Sequence, residues 1–367
     1  MIKNCYIHIP FCKSICTYCD FCKMYYDKRI VLSYLNALKK EIESIYQGDL
    51  LETIYIGGGT PLSLSLEELK ILFDILSILK KDKIKEFTIE GNIESITKEK
   101  LIFLKENGVN RISIGIESID SNILKYLGRT LDKNQIREVI SMIKEIGFSN
   151  INVDLMYAIP GEDISTLKKD IDFLLSLDVC HISTYSLMIE DHTILKINQE
   201  ENISEDLDEE MYQLICDCLK KNHYQHYEIS NFCKEGYSSI HNMCYWNNSN
   251  YYGFGLGASS YIDHKRITNT RSIQKYLLNQ FVKETEIVSL KDEMEYQVLL
   301  NLRKKEGISL LEFRKRFLID LFHVYNYSSL VDDGFLILED NHLFIPEEKW
   351  YISNEIIVKL LGSEIYE

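Results

Sequence analysis

From residue 1 to about 190, short runs of β-branched and aromatic residues alternate with stretches whose apolar residues recur every third or fourth position. The runs NCYIHIP, TIYIGGG, EFTIEGN, RISIGIE, INVDLMYAI and HISTYSL read as strands. Between them, a segment such as that carrying Leu69, Leu72, Phe73, Leu76 and Leu79 keeps one apolar face, as an amphipathic helix does. Gly108 after LIFLKEN and Gly147 after ISMIKEI stand where a left-handed residue closes a helix. Strands alternating with helices in this way predict a parallel sheet with right-handed crossovers. The fold class is α/β: an open, partial TIM-type (β/α)6 barrel or a doubly wound sheet, and in both the chemistry gathers at the C-terminal strand ends. The cysteines follow the first strand, GGGTP the second, and Glu90, Glu117 and Asp154 lie in or near the ends of the next three.

Beyond about 200 the pattern changes. An acidic stretch at 200–210 leads into a helix, then HYQHYEISNF and an aromatic, Asn-rich loop. After Lys291 a small helical region ends in GFLILEDNHLFI, a hairpin turning at Asp340–Asn341. The expected division is a barrel over 1–200, an α+β extension over 201–288 and a small winged-helix-like domain over 289–367. No internal repeat or low-complexity tract is visible.

A chain of 367 residues can bury a large core. Its net charge of -15 argues against wrapping nucleic acid, which needs a basic stripe. The basic cluster of Arg303, Lys304, Lys305, Arg314, Lys315 and Arg316 reads as a solvated helix face. The opening MIKNCYIHIPFC lacks the apolar run of a signal peptide, and the longest stretch free of charged residues, 236–262, is too rich in Asn, Ser and Gly to span a bilayer. A cytoplasmic location is expected, where thiols stay reduced and crowded cysteines point to metal or catalysis.

CKSICTYCDFC, residues 12–22, holds four of the ten cysteines. Cys12, Cys16 and Cys19 form C-x3-C-x2-C. Three thiolates on one loop can hold three irons of a [4Fe–4S] cube and leave the fourth open. Zinc would want a second ligand pair, and none appears.

With its flanks, CYIHIPFCKSICTYCDF resembles the opening of radical S-adenosylmethionine (radical SAM) proteins of the HemN/HemW branch, which includes oxygen-independent coproporphyrinogen III oxidases and heme chaperones. The resemblance implies that SAM chelates the open iron and that a reduced cluster cleaves it to a 5′-deoxyadenosyl radical. It implies SAM contacts for Gly58, Gly59 and Thr60 of GGGTP, for Tyr6 and Tyr18, and for Glu90. GVNRISIGIESIDSNILKYLGR and NVDLMYAIPGE match further segments and imply contacts for Glu117, Arg129 and Asp154. Three positions depart: Glu117 replaces a glutamine, Ile93 a proline, and Thr130–Leu131 stands where histidine often follows the arginine. Cys22 lies three beyond the last ligand, where the oxidases carry an extra cysteine two beyond, and reads as a free or packed thiol.

HNMCYW, residues 241–246, fits H-N-x-x-Y-W. By residue type alone it is an aromatic loop with a satisfied histidine. It also resembles the heme-binding signature of the HemW-like members, which implies heme contacts for His241, Tyr245 and Trp246. Only eleven residues precede Cys12, fewer than in the extension carried by the oxidases, which favours the chaperone. The implied function is binding heme and delivering it to hemoproteins, those of the respiratory chain at the membrane among them. The resemblance allows for SAM cleavage and for pairing as a homodimer. The alternatives are an oxygen-independent coproporphyrinogen III oxidase and a radical methyltransferase or cyclopropanase. Cys216 and Cys218 point too far apart on one helix to grip one metal, His223 and His226 read as exposed, and GFGLG has the wrong spacing for a dinucleotide.

Overall fold

The computed structural model describes residues 1–363, and every predicted strand of the first half is present. In chain order the strands are β1 (Asn4–Ile9), β2 (Phe11–Cys12), β3 (Met24–Tyr25), β4 (Thr53–Gly58), β5 (Glu86–Asn92), β6 (Arg111–Glu117), β7 (Asn150–Tyr157) and β8 (His181–Ser186). The helices between them include α1 (Lys28–Ile45), α2 (Leu66–Ile75), α3 (Lys98–Glu106), α4 (Ser121–Tyr126), α5 (Lys133–Glu145) and α6 (Ile164–Ser176). Strands β1, β4, β5, β6, β7 and β8 are parallel neighbours in sequence order. A doubly wound sheet reverses its strand order at a switch point. The absence of any reversal makes this an open, partial barrel.

Two faces of these strands differ in chemistry. Ile54, Ile56, Phe87, Ile89, Ile112, Ile114, Ile151 and Val153 pack in one core with Leu35, Leu69, Leu101, Ile136 and Leu167 of the helices. The alternate residues, which line the barrel interior, are polar: Thr53, Glu86, Thr88, Arg111, Ser113, Asn152, His181 and Ser183 are all buried. Local signals set the helix ends. Ser65 and Glu68 form a capping box on α2, while Gly108 and Gly147 close α3 and α5 at φ +86° and +96°.

After α7 (Ile194–Ile197) and α8 (Glu205–Lys221), the second half extends the same sheet rather than building another. β9 (Gln225–Glu228) and β10 (Asn231–Cys233) form a hairpin that adds antiparallel to β8. After α9 (Ile240–Trp246), β11 (Tyr251–Phe254) joins the opposite edge, parallel to β1. β12 (Ser259–Ile262), β13 (Lys265–Asn269), α10 (Ile273–Leu277) and β14 (Val282–Ile287) follow, completing a sheet of twelve strands. Beyond α11 (Leu290–Asn301) and α12 (Leu310–Phe317), β15 (Ile308–Ser309), β16 (Ile337–Glu339) and β17 (His342–Phe344) make a small separate sheet. Its hairpin turns at Asp340 and Asn341, whose φ of 47° and 62° are those of a type I′ turn.

Three expectations fail. HNMCYW, expected in a loop, forms helix α9 capped by Ser239. The basic cluster is not one solvated face: Arg303 and Lys304 are half-buried, and Lys304 Nζ donates to Asn247 Oδ1 at 2.5 Å. His226 is buried, not exposed, and its ring stacks on Phe232 at 3.9 Å. Cys216 Sγ lies 4.0 Å from that imidazole, while Cys218 packs into the core. Among the described residues no helix is long and apolar enough to cross a membrane.

Candidate functional site

The cysteine loop is pinned at its base and at its middle. Strands β2 and β3 pair in parallel, and the Met24 and Tyr26 N–H groups donate to Pro10 O and Cys12 O, each at 2.8 Å. Midway, Thr17 N–H donates to Leu127 O at 3.1 Å and its hydroxyl to Tyr126 O at 2.9 Å, tying the loop to α4. Cys12, Cys16 and Cys19 consequently line a single cavity of about 370 Å³. Among the described residues no three Cys, His, Asp or Glu converge on one metal ion. Three thiols on one loop lining one cavity suit a cube instead, where each sulfur binds its own iron. Burial pushes the Cys12 and Cys16 thiols up to about 11, so a positive centre is needed to hold them as thiolates. At Gly59 the fit is tight, for a Cβ there would sit 2.9 Å from Cys12 Sγ. Thr60 Oγ1 donates to the same sulfur at 3.7 Å.

The same cavity gathers Tyr18, Gly58, Gly59, Thr60, Glu90, Glu117, Arg129 and Asp154. Gly58 holds φ +115°, and a Cβ there would lie 2.4 Å from the His8 ring. Its N–H donates to Glu90 Oε2 at 3.0 Å, while Tyr55 donates its hydroxyl to Glu90 Oε1 at 2.7 Å. Glu117 sits at φ 64° beside an irregularity in the β6–β7 register, which turns its carboxylate onto the Arg129 guanidinium. Tyr18 donates to Glu117 Oε1 at 3.1 Å and Arg129 Nη2 to Gly115 O at 3.0 Å. Burial raises Glu117 to about 7 against the pull of Arg129, and raises Asp154 to about 6. Glu90 is likewise raised by burial. Three carboxylates and one arginine thus face a space that leads to the thiols, a setting suited to a ligand with both cationic and carboxylate groups.

Tyr6 stands outside this cavity. It lines a second one, of about 440 Å³, between the cysteine loop and the β11–β14 edge. Asp20 and Phe21 line both cavities and form the partition. His8 Nε2–H donates to Cys22 O at 2.7 Å, and Tyr6 Oη donates to the bare His8 Nδ1 at 3.0 Å. Burial depresses His8 to about 4, so its ring is neutral near pH 7. Gly257 lets the GFGLG turn meet the loop, since a Cβ there would lie 2.6 Å from Cys22 Cβ.

Helix α9 carries HNMCYW and is seated by a carboxylate from the barrel. Glu86 accepts from Ser239 Oγ at 3.1 Å, from Ile240 N at 2.9 Å and from His241 N at 3.0 Å. A negative charge on free N–H groups at a helix start is favourable. His241 is 1% exposed, and both ring nitrogens are engaged. Nδ1 meets Thr53 Oγ1 at 2.7 Å and Nε2 meets Tyr245 Oη at 2.9 Å, while the ring stacks on Tyr55 at 5.2 Å. Burial drops it to about 3. In this conformation no lone pair of the imidazole is free for iron. Tyr245 does line the second cavity, whereas Trp246 lines neither and offers its backbone O to Asn301 Nδ2 at 2.7 Å.

Several site residues went unread in the sequence. Ser113, Asn92 and Tyr185 line the first cavity, and His8, Arg271 and Lys283 the second. Glu86 and His8 were within reach, because each lies an even number of positions from an identified residue, Glu90 and Tyr6, on one strand face. Arg271 and Lys283 carry no local signal, since only the sheet topology brings them to the cysteine loop.

Residues 6–174 match the radical SAM superfamily, and residues 288–352 match the HemN C-terminal domain. The heme chaperone HemW of Lactococcus lactis is 35% identical across 99% of this chain and 98% of that protein. The heme chaperone HemW of Bacillus subtilis is also 35% identical, across 99% and 100%. Among solved structures, the coproporphyrinogen III oxidase HemN of Escherichia coli superposes with a TM-score of 0.85, covering 97% of this chain and 89% of that one at 18% identity, a likeness of fold. A thiol loop beneath a parallel partial barrel, joined to this full-length kinship, places the chain in the HemW family of the radical SAM superfamily.

Proposed function

We propose that this chain is a heme chaperone, which binds heme beside a SAM-bound [4Fe–4S] cluster and passes it to recipient hemoproteins in the cytoplasm or at the membrane surface. The observation that carries the reading is the shared wall: Tyr245 of HNMCYW opens onto a cavity that shares Asp20 and Phe21 with the thiol cavity. Cys12, Cys16 and Cys19 would hold the cluster. Tyr18, Gly58, Gly59, Thr60, Glu90, Glu117, Arg129 and Asp154 would hold SAM around it. When bound, the cluster supplies an open iron for SAM and an electron. The protein's own share is to fix the thiols, to offer carboxylates to a cationic ligand, and to keep water from both. Residues 1–200 would serve the cluster, 201–288 would bring α9 and the second cavity, and 289–367 would brace the extension. Hemin titration into the anaerobically reconstituted protein should give a saturating Soret band near one heme per chain, with no decarboxylation of coproporphyrinogen III. His241→Ala should weaken that binding by about tenfold, the size expected for losing one buried hydrogen-bonded group. Unaltered affinity in the variant would remove α9 from the heme site.

A further inference from the structure

We infer that the cavity between the cysteine loop and the β11–β14 edge is the seat of the heme macrocycle, that Arg271 and Lys283 receive its two carboxylates, and that His241 is a positioning residue acting through Tyr245. The inference rests on the chaperone reading and says where the cargo sits. At about 440 Å³ the cavity is of the size organic ligands occupy. Tyr6, Tyr245 and Tyr251 supply aromatic surface, with the Tyr245 and Tyr251 rings edge-on at 4.8 Å. At the rim, Arg271 spends one N–H on Asp20 O at 2.6 Å and makes no ion pair among the described residues. Lys283 is exposed on β14 and has neither a hydrogen bond nor an ion pair among those residues. Arg271 and Lys283 are the two cationic side chains among the residues lining this cavity, beside one acid, Asp20. Heme is flat, aromatic and carries two carboxylates, so it complements tyrosine walls and a rim of one guanidinium and one ammonium.

His241 does not line this cavity, but its Nε2 holds the Tyr245 hydroxyl at 2.9 Å, and Tyr245 does line it. Thr53 on the other ring nitrogen and Glu86 on the backbone N–H leave the imidazole one orientation. Its effect on heme therefore passes through the phenol.

The test uses the full reconstituted chain with two probes, hemin and hemin dimethyl ester, whose carboxylates are masked. Arg271→Gln with Lys283→Gln should weaken hemin binding by about tenfold or more, the scale of charge-assisted contacts, and leave the ester unchanged. Lys283→Gln alone, on an exposed strand and remote from the loop's own bonds, should weaken hemin several-fold and spare the ester. His241→Ala and Tyr245→Phe should each weaken both probes, the double variant no more than either single one, with the Soret position of the residual complex unmoved. Equal effects of the charge variants on both probes, or none, would overturn the seat while the chaperone reading stands. A Soret shift in His241→Ala alone would make the imidazole an iron ligand and overturn its positioning role. Failure of the wild type to take up hemin would remove the function and the seat together.

Discussion

Glu41 shows how much one buried carboxyl can govern. It is wholly buried on α1 and accepts from Gly255 N, the Tyr276 hydroxyl and Asn269 Nδ2. Those bonds hold the GFGLG turn and β13 against α1, close behind the second cavity. Burial lifts the group from 4.5 to about 7 despite the three donors. Its folded value exceeds its unfolded one, so its stabilising share is complete below about pH 4.5 and is lost as pH rises through 7. The loss is on the order of 3 kcal/mol at most. Urea unfolding at pH 5, 6, 7 and 8 should show the wild type losing stability that Glu41→Gln does not lose over the same window. Parallel pH curves for the two proteins would mean that the carboxyl does not titrate in this range. Because the Gln NH2 group accepts no hydrogen bond, whereas each oxygen of the protonated carboxyl still can, the variant should be weaker than wild type at pH 5 by about 1–3 kcal/mol.

At the scale of elements, the parallel strands were legible because period-two alternation survives even in a barrel whose inner face is polar. Ile54 and Ile56 face the helices while Thr53 and Tyr55 face inward, and EFTIEGN repeats the scheme with Glu86, Thr88 and Glu90. Extension strands were not legible for the opposite reason. β14, VKETEI, is exposed at every position and owes its place to pairing with β13, not to an apolar face. The thiols and GGGTP announced themselves by spacing, yet their closeness is long-range. Gly59 is the sharpest instance, with Pro10 C at 2.8 Å and Cys12 Sγ at 2.9 Å from where a Cβ would stand. Gly59→Ala should push β4's end off the loop and displace Cys12. Iron bound per chain after anaerobic reconstitution should fall to about half or less, with a stability cost of about 1–3 kcal/mol for overpacking. Wild-type iron content in a folded variant would show that the loop yields freely, and would detach GGGTP from the cluster's support.

For the whole molecule, the twelve-stranded sheet has the second cavity at one edge and the β9–β10 hairpin at the other. The second cavity draws on Ser259, Thr268 and Lys283 at the β11–β14 edge; the C-terminal region reaches that side through α11, where Glu293 accepts from Tyr261 Oη at 2.8 Å, and it also grips the β9–β10 hairpin at the other edge. There, Ile229 N–H donates to Arg303 O and Lys305 N–H to Tyr227 O, each at 3.0 Å. Trp350 closes the contact: it is 2% exposed, donates Nε1–H to Ile345 O at 2.9 Å and meets the His226 ring edge-on at 4.4 Å. The hairpin is tied to α9 as well, since Tyr227 Oη meets His181 Nε2 at 2.8 Å and accepts from Ser239 N, the start of α9, at 3.1 Å. Glu86 holds that same helix start with three bonds of its own, so α9 should keep its place when the hairpin loosens. Trp350→Ala should therefore cost about 3–5 kcal/mol in urea unfolding, the range for deleting a buried aromatic, and change hemin affinity less than about twofold. A tenfold loss of affinity in a variant still folded at the assay temperature would mean that the heme contacts depend on the hairpin edge, and that the cationic rim at Arg271 and Lys283 is not what holds the macrocycle.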